Sequence, residues 1–399
     1  MGQADGASPG RIVVAGAGLA GLRTVEELRA RGYAGTVTLV GAETRPPYDR
    51  PPLSKRLLQG ALDDTTLRDD LTTLRVEIRL GEAATSLDGE VLRTGHGEHR
   101  FDRLVLATGA APLALPGNGR QRFLRTLDDA LELRSLLRPG LRLAIVGAGW
   151  IGAELATAAA ARGCQVTVVE AAPAPLAVAV GADVGALTAA WYAQAGVTLR
   201  LGQAVDSVEP GGLALAGGGW LPADEVVTAV GVRPQLGWLA GSGIEVEGGV
   251  AVDGQLCTSL PGVFAVGDCM AFWSQRYQRR LRFEHWDVAL RSPAVVAANL
   301  LGGAETYDPV PYFWSEQFGR MIQYVGFHGA ADRMLLRGDP AAPQWSACWL
   351  AGYRLAALLA VNSPRDLAQG RRAIQSAAPV DPERLGDPQV PVARAALAD

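Results

Sequence analysis

The chain has 399 residues, of which 48% are hydrophobic and 20% charged; two to three domains of roughly 150 residues fit that length, and fibrous or disordered classes are excluded. A formal net charge of −4 argues against bulk nucleic-acid binding. Four cysteines (Cys164, Cys257, Cys269, Cys348), none in a CxxC pair, exclude a disulfide framework and fit a reducing cytoplasm.

The first residues are small and polar, and the apolar run from Ile12 is too short and too glycine-broken for a signal peptide or a membrane span. No membrane attachment is expected. Arg11–Ala15 reads as a strand, residues 19–31 as a helix and Thr36–Val40 as a second strand. Leu104–Gly109 is an apolar strand ending in glycine. Arg142–Val146, residues 150–162 and Gln165–Val169 repeat the strand–helix–strand unit, which Glu170 closes. Val226–Gly231 resembles the 104–109 strand, and Gly262–Asp268 is a third of that kind. Such strands bracket an inserted domain: the chain leaves one sheet near Thr108 and returns after Gly231. Beyond Pro309, alternating aromatic-rich segments (312–314, 321–325, 345–350, 354–361) predict an antiparallel sheet. The last ~20 residues, rich in proline and alanine, predict a loosely ordered tail.

Two turns carry the chemistry. Gly16-Ala-Gly18-Leu-Ala-Gly21 and Gly147-Ala-Gly149-Trp-Ile-Gly152 both match G-x-G-x-x-G, each between a strand and a helix. The first glycine makes the tight turn, the second lets backbone N–H groups approach a pyrophosphate, and the third lets helix and strand pack closely. Glu170 ends the second strand of the later unit, where a carboxylate accepts both ribose hydroxyls and repels a 2′-phosphate; NADH is therefore expected over NADPH. In the earlier unit the strand ends Val40-Gly41-Ala42-Glu43, so Glu43 is the nearby carboxylate for an adenosine ribose.

Pro46-Pro-Tyr-Asp-Arg-Pro-Pro-Leu-Ser-Lys55, Leu106-Ala-Thr-Gly109, Leu124-Arg-Thr-Leu-Asp-Asp129, Gly262–Cys269, Glu284-His-Trp286 and Pro311-Tyr-Phe-Trp-Ser-Glu-Gln317 together resemble the FAD-dependent, NAD(P)H-linked ferredoxin reductases of oxygenase and cytochrome P450 systems. The resemblance runs in order from about residue 11 to 385. It implies an α/β fold with two Rossmann-like dinucleotide-binding domains, arranged as in glutathione reductase, and a C-terminal α+β interface domain. The divisions expected are 1–112 with 236–310 for non-covalent FAD, 113–235 for NADH, and 311–399 for the interface domain.

The same resemblance assigns roles. Gly16, Gly18, Ala20 and Gly21 would line the FAD pyrophosphate, and Lys55 would sit beside the isoalloxazine. Thr85 and Arg125 would contact the adenine and pyrophosphate side, Asp268 the ribityl chain, Trp286 the flavin pyrimidine edge through its backbone, and Trp314 the dimethylbenzene side. Glu43, Arg50, Thr108 and Gly109 complete the FAD set; Gly147, Gly149, Gly152, Glu154, Glu170 and Gly231 form the NAD set. Two departures affect affinity: Ala42 stands where the family often has an acid, and Arg291-Ser292-Pro293 replaces a more usual Gln-Gly-type helix entry.

Catalysis is expected from Lys55 and Glu154. Glu154 lies two residues after the third glycine of the NAD turn; paired with Lys55, it would place a cation near flavin N5, and it is also positioned to orient the nicotinamide amide. Disulfide reductases of this fold carry a reactive cysteine near the flavin, but here no cysteine precedes Cys164. Electrons are therefore expected to leave outward, to a [2Fe-2S] ferredoxin that feeds a cytochrome P450 or Rieske-type oxygenase. An NADH oxidase or quinone reductase is the second reading, and a signalling flavoprotein similar to apoptosis-inducing factor the third. Arg276, Arg279, Arg280 and Arg282 form a candidate docking face for an acidic partner. The four histidines lack metal-ligand spacing, so no metal is expected. Tyr312, Phe313 and Trp345 are expected in the core of the last sheet, Cys164 and Cys269 as small buried hydrophobes, and a monomer is slightly favoured.

Overall fold

The computed structural model describes residues 9–68 and 70–397. The chain forms two compact units. One contains the chain up to Asp49, Thr65–Ala111 and Val232–Pro309; the other contains Arg50–Asp64, Pro112–Gly231 and the chain from Val310. The elements used below are, in chain order, β1 (Arg11–Ala15), α1 (Leu19–Ala30), β2 (Thr36–Gly41), β3 (Glu77–Leu80), β4 (Arg103–Leu106) and α2 (Leu127–Leu136). Then come β5 (Arg142–Val146), α3 (Trp150–Ala161), β6 (Gln165–Val169), β7 (Thr198–Arg200), β8 (Glu225–Thr228), β9 (Val263–Ala265) and α4 (Trp286–Leu300). The last part holds β10 (Tyr312–Gln317), β11 (Arg320–Gly326), β12 (Arg333–Arg337), β13 (Trp345–Ala351), β14 (Arg354–Val361) and α5 (Pro364–Ser376).

In the first unit a parallel sheet runs β9-β4-β1-β2-β3. Every residue of β1 and β2 after the first is buried, as expected where helices cover both faces of a parallel sheet and the strands read as unbroken apolar runs. β2 and β4 flank β1, so the carboxyl end of β1 lies at the point where connections diverge to either side, the usual ligand crevice of such sheets.

The second unit contains a parallel sheet, β7-β6-β5-β8. It also contains an antiparallel sheet in the order β10-β11-β14-β13-β12. Four of the latter strands follow the alternating segments anticipated from sequence. β12 was not anticipated: its three apolar residues between Arg333 and Arg337 give too short a pattern to stand out.

The tail departs from expectation. Val380, Leu385, Val392 and Ala395 are buried against the last sheet, and Val380 pairs with Ala396. Pro382 opens a short helix capped by the Asp381 carboxylate, a position where proline is favoured because its missing N–H has no helical partner. Arg337, 4% exposed, pairs with Asp366 at 2.9 Å and donates to the carbonyls of Leu385, Asp387 and Pro388. The composition suggested looseness; a buried guanidinium and four apolar anchors decide otherwise.

Candidate functional site

The two glycine turns have the same construction. Gly16 (φ +123°) and Gly147 (φ +102°) adopt a conformation that L side chains avoid. A Cβ on Gly16 would lie 2.1 Å from the Ala107 carbonyl oxygen, and one on Gly147 2.5 Å from that of Ala229. A Cβ on Gly21 or Gly152 would come within 1.8 or 2.0 Å of the carbonyl oxygen of Gly16 or Gly147. Gly18 and Gly149 differ: nothing lies within 4 Å of their Cβ positions. Each is the N-cap of its helix without a side-chain cap, so the first N–H groups of α1 and α3 are left for an anion. At α2, by contrast, Thr126 and Asp129 close a capping box. First and third glycines are thus imposed by packing, whereas the second keeps open space of the kind that a dinucleotide pyrophosphate needs. Both cradles fit the group.

The acid slots differ for a visible reason. Gly147 N–H donates to the Val169 carbonyl and Gly16 N–H to that of Val40, so Gly41 stands where the later unit has Glu170. A Cβ on Gly41 would meet the Ala17 methyl at 2.5 Å, leaving no room for an acid there. Glu170 accepts from the N–H groups of Ala148 (2.7 Å) and Ala172 (2.8 Å), which orients its carboxylate at the glycine turn. Glu43 accepts from the Tyr48 hydroxyl at 2.6 Å.

The first unit carries the other anticipated residues as follows. Ala20 is buried in the first turn of α1; Thr85 is exposed on the strand Ala84–Asp88. Thr108 and Gly109 (φ +69°) follow β4. Asp268 sits in the turn Gly267–Cys269. Trp286 opens α4, and its indole N–H donates to Asp49 at 2.7 Å. Ser292 accepts from the Gly267 N–H at 3.2 Å and donates to the Val288 carbonyl. Arg291-Ser292-Pro293 thus lies inside α4, whose entry is His285-Trp286, and not at a helix entry as expected; from there Ser292 secures the turn bearing Asp268, a role that sequence reasoning had not given it.

His285, the N-cap of α4, is stacked on Phe283 with ring centroids 5.1 Å apart. Burial pushes its imidazole down to about 4, opposed by Asp268. The unfolded chain binds this proton near pH 6.5 and the folded chain only near 4. The resulting stability is fully present above pH 6.5 and is lost as pH falls toward 4. Urea unfolding of wild type should lose up to about 3 kcal/mol more over that interval than His285→Phe does. Equal losses would refute this source.

The second unit brings together residues that lie far apart in sequence. Leu53–Leu57 is a short helical segment kinked at Lys55 (φ −118°, ψ −106°). Lys55 Nζ lies 2.8 Å from Glu154 Oε2 and 3.2 Å from the Pro51 carbonyl. Ser54 donates to the same carboxylate oxygen, and Ser315 Oγ donates to Oε1 at 2.6 Å. The side chain of Glu154 is 2% exposed, and these three donors occupy most of the roughly four acceptor positions of its carboxylate. Ser54, Ser315 and Gln317 had received no role, although two quoted motifs contain them. Arg50 donates to the Arg125 carbonyl at 2.5 Å, and Arg125 N–H to Asp129. Gly231 (φ +107°) accepts from Leu113 N–H. Trp314 is half-buried on β10 and stacks on Tyr312, with centroids 6.0 Å apart.

Other expectations need correction or gain a reason. Trp345 is buried in the last sheet, but Tyr312 and Phe313, at the start of the edge strand β10, are only half-buried. Of the four arginines, Arg280 pairs with Glu247 at 2.9 Å and Arg282 with Glu284, so local carboxylates offset part of that basic face. All four cysteines are free thiols. Burial raises each of them, Cys257 and Cys269 to about 11 and Cys348 to about 12, which leaves no thiolate at neutral pH. Among the described residues no three His, Cys, Asp or Glu are grouped to hold a metal, and no helix is long and apolar enough to cross a membrane.

Residues 10–292 match the pyridine nucleotide-disulphide oxidoreductase family, and residues 312–396 match a reductase C-terminal domain. The ferredoxin–NAD(+) reductase component of an anthranilate 1,2-dioxygenase system from Burkholderia cepacia is 35% identical, over 95% of this chain and 97% of its own. Putidaredoxin reductase CamA from Pseudomonas putida is 34% identical, over 96% and 95% respectively. Among solved structures, that of Fdr9 superposes with a TM-score of 0.93 at 48% identity, covering 97% of this chain and 100% of the other. A covalent putidaredoxin reductase–putidaredoxin complex gives 0.92 at 33% identity, covering 96% and 97%.

Proposed function

This chain belongs to the pyridine nucleotide-disulphide oxidoreductase family, and within it to the ferredoxin–NAD(+) reductases; from that premise we propose that it passes electrons from NADH, through bound FAD, to a [2Fe-2S] ferredoxin serving a cytochrome P450 or Rieske-type oxygenase. FAD supplies the step that a protein side chain cannot, taking up a hydride and giving up electrons one at a time. We assign FAD to residues 1–112 with 236–310, NADH to 113–235, and contact with the partner to 311–399. A cytoplasmic setting accords with the four free thiols.

The chain's own residues place, orient and exclude water. Main-chain N–H groups at Gly18 and Gly149 hold the two pyrophosphates. Glu170, already fixed by two main-chain donors, takes the NADH ribose hydroxyls and disfavours a 2′-phosphate; kcat/KM for NADH should exceed that for NADPH, and the reverse order would remove this role. Lys55, held by Glu154, keeps a cation where negative charge collects during reduction.

One observation carries the outward direction of electron flow: no thiol accompanies the Lys55–Glu154 pair, and burial raises every cysteine. Anaerobic titration should therefore consume about one NADH per FAD. Uptake of a second equivalent would reveal an internal dithiol and turn the reading toward disulphide reduction. Addition of [2Fe-2S] ferredoxins to the reduced protein should then reoxidise it rapidly. Fast turnover with oxygen alone would make it an oxidase, and slow turnover with every acceptor would favour a signalling flavoprotein.

A further inference from the structure

Helix α3 and strand β10 meet in matched periods. Trp150, Glu154 and Thr157 share one face of the helix at i, i+4 and i+7, whereas Phe313, Ser315 and Gln317 alternate onto one face of the strand. The rings of Trp150 and Phe313 lie 4.8 Å apart, Ser315 Oγ lies 2.6 Å from Glu154 Oε1, and Phe318 N–H donates to Thr157 Oγ1 at 3.0 Å. Gln317 Nε2 is 3.0 Å from Ser315 Oγ. An amide NH2 group can only donate, so Ser315 accepts from Gln317 and must spend its single hydrogen on Glu154. The order Gln317→Ser315→Glu154 is therefore directional. Ser54, Glu154, Ser315 and Gln317 are each at most 4% exposed, so water does not compete for these bonds.

We propose that Ser315, oriented by Gln317, and Ser54 are positioning residues that hold the Glu154 carboxylate in the one rotation that fixes the Lys55 ammonium. The terminal torsion of a glutamate is broad and roughly two-fold, and a lysine is a mobile point charge on a flexible stem. A carboxylate with Oε1 occupied by Ser315 can no longer swing, and its Oε2 then determines where Lys55 rests. Through this face, the strand carrying Trp314 becomes part of the machinery around Lys55. The inference rests on the role proposed above for the Lys55–Glu154 pair.

The test uses the FAD-loaded protein under anaerobic conditions. Ser315→Ala should lower the limiting rate of FAD reduction by NADH roughly tenfold while leaving the NADH dissociation constant within about twofold. It should also shift the FAD midpoint potential to more negative values, because a loosely held cation stabilises the reduced, negatively charged form less. Ser315→Thr, which keeps the hydroxyl, should restore both. Lys55→Met combined with Ser315→Ala should be no slower than Lys55→Met alone; additive slowing would overturn the proposal. A wild-type rate and potential in Ser315→Ala, with Lys55→Met still slow, would overturn the positioning role only. A wild-type rate in Lys55→Met would overturn the parent reading as well. Ser54→Ala should act in the same direction, and it decides the matter by the same criteria if Ser315→Ala does not fold.

Discussion

Lys55→Met should slow reduction of the bound FAD by NADH by about a hundredfold, because removing one preorganised electrostatic group from a water-excluded site typically costs 10²–10³ in rate. Lys55 is suited to this role: its side chain is 12% exposed, and its ammonium lies 2.8 Å from a carboxylate whose side chain is 2% exposed. In so dry a setting a charge acts more strongly than in water. Methionine keeps the length of the chain and its packing, so the loss falls on the charge. Removing one partner of a buried ion pair costs about 3–5 kcal/mol when the other is left bare. Glu154 keeps the hydroxyls of Ser54 and Ser315, so the stability loss should lie at the low end and the holoprotein should still form. Stopped-flow absorbance of the flavin reads the rate directly; a wild-type rate in FAD-loaded protein would remove Lys55 from the mechanism.

Gly16→Ala and Gly18→Ala should separate folding from cofactor binding two residues apart. At Gly16 a side chain meets both a positive φ of +123° and a carbonyl oxygen at 2.1 Å. Backbone strain of about 1–3 kcal/mol adds to overpacking of similar size, giving a loss of roughly 2–6 kcal/mol that heat or urea unfolding of the apoprotein will register. At Gly18 the added methyl meets nothing within 4 Å, so apoprotein stability should change by no more than about 1 kcal/mol, the usual scale of an N-cap effect. FAD affinity should nevertheless fall at least about tenfold, which corresponds to 1.4 kcal/mol. Undiminished FAD binding by Gly18→Ala would show that the pyrophosphate does not lie in this turn. Gly147→Ala and Gly149→Ala should repeat the contrast for NADH.

The sequence by itself determined what depends on neighbours along the chain. Both glycine turns, with the strand before and the helix after, could be located to within a residue, since φ preference and apolar period are local properties. The Lys55–Glu154 pair was also legible, though through a family motif rather than through any pattern linking residues 99 apart. Folding alone decided which other groups complete that pair: Ser54 is 100 and Ser315 161 residues from Glu154, and nothing in either segment marks its hydroxyl for a distant carboxylate. The absence of an acid at Gly41 became intelligible only when the Ala17 methyl was found in that space. Likewise the tail, loose by composition, is held by Arg337 from a strand about fifty residues earlier. Local sequence sets dihedrals and faces; which face meets which is settled by the simultaneous burial of segments far apart in the chain, and the surroundings of Glu154 are made of such meetings.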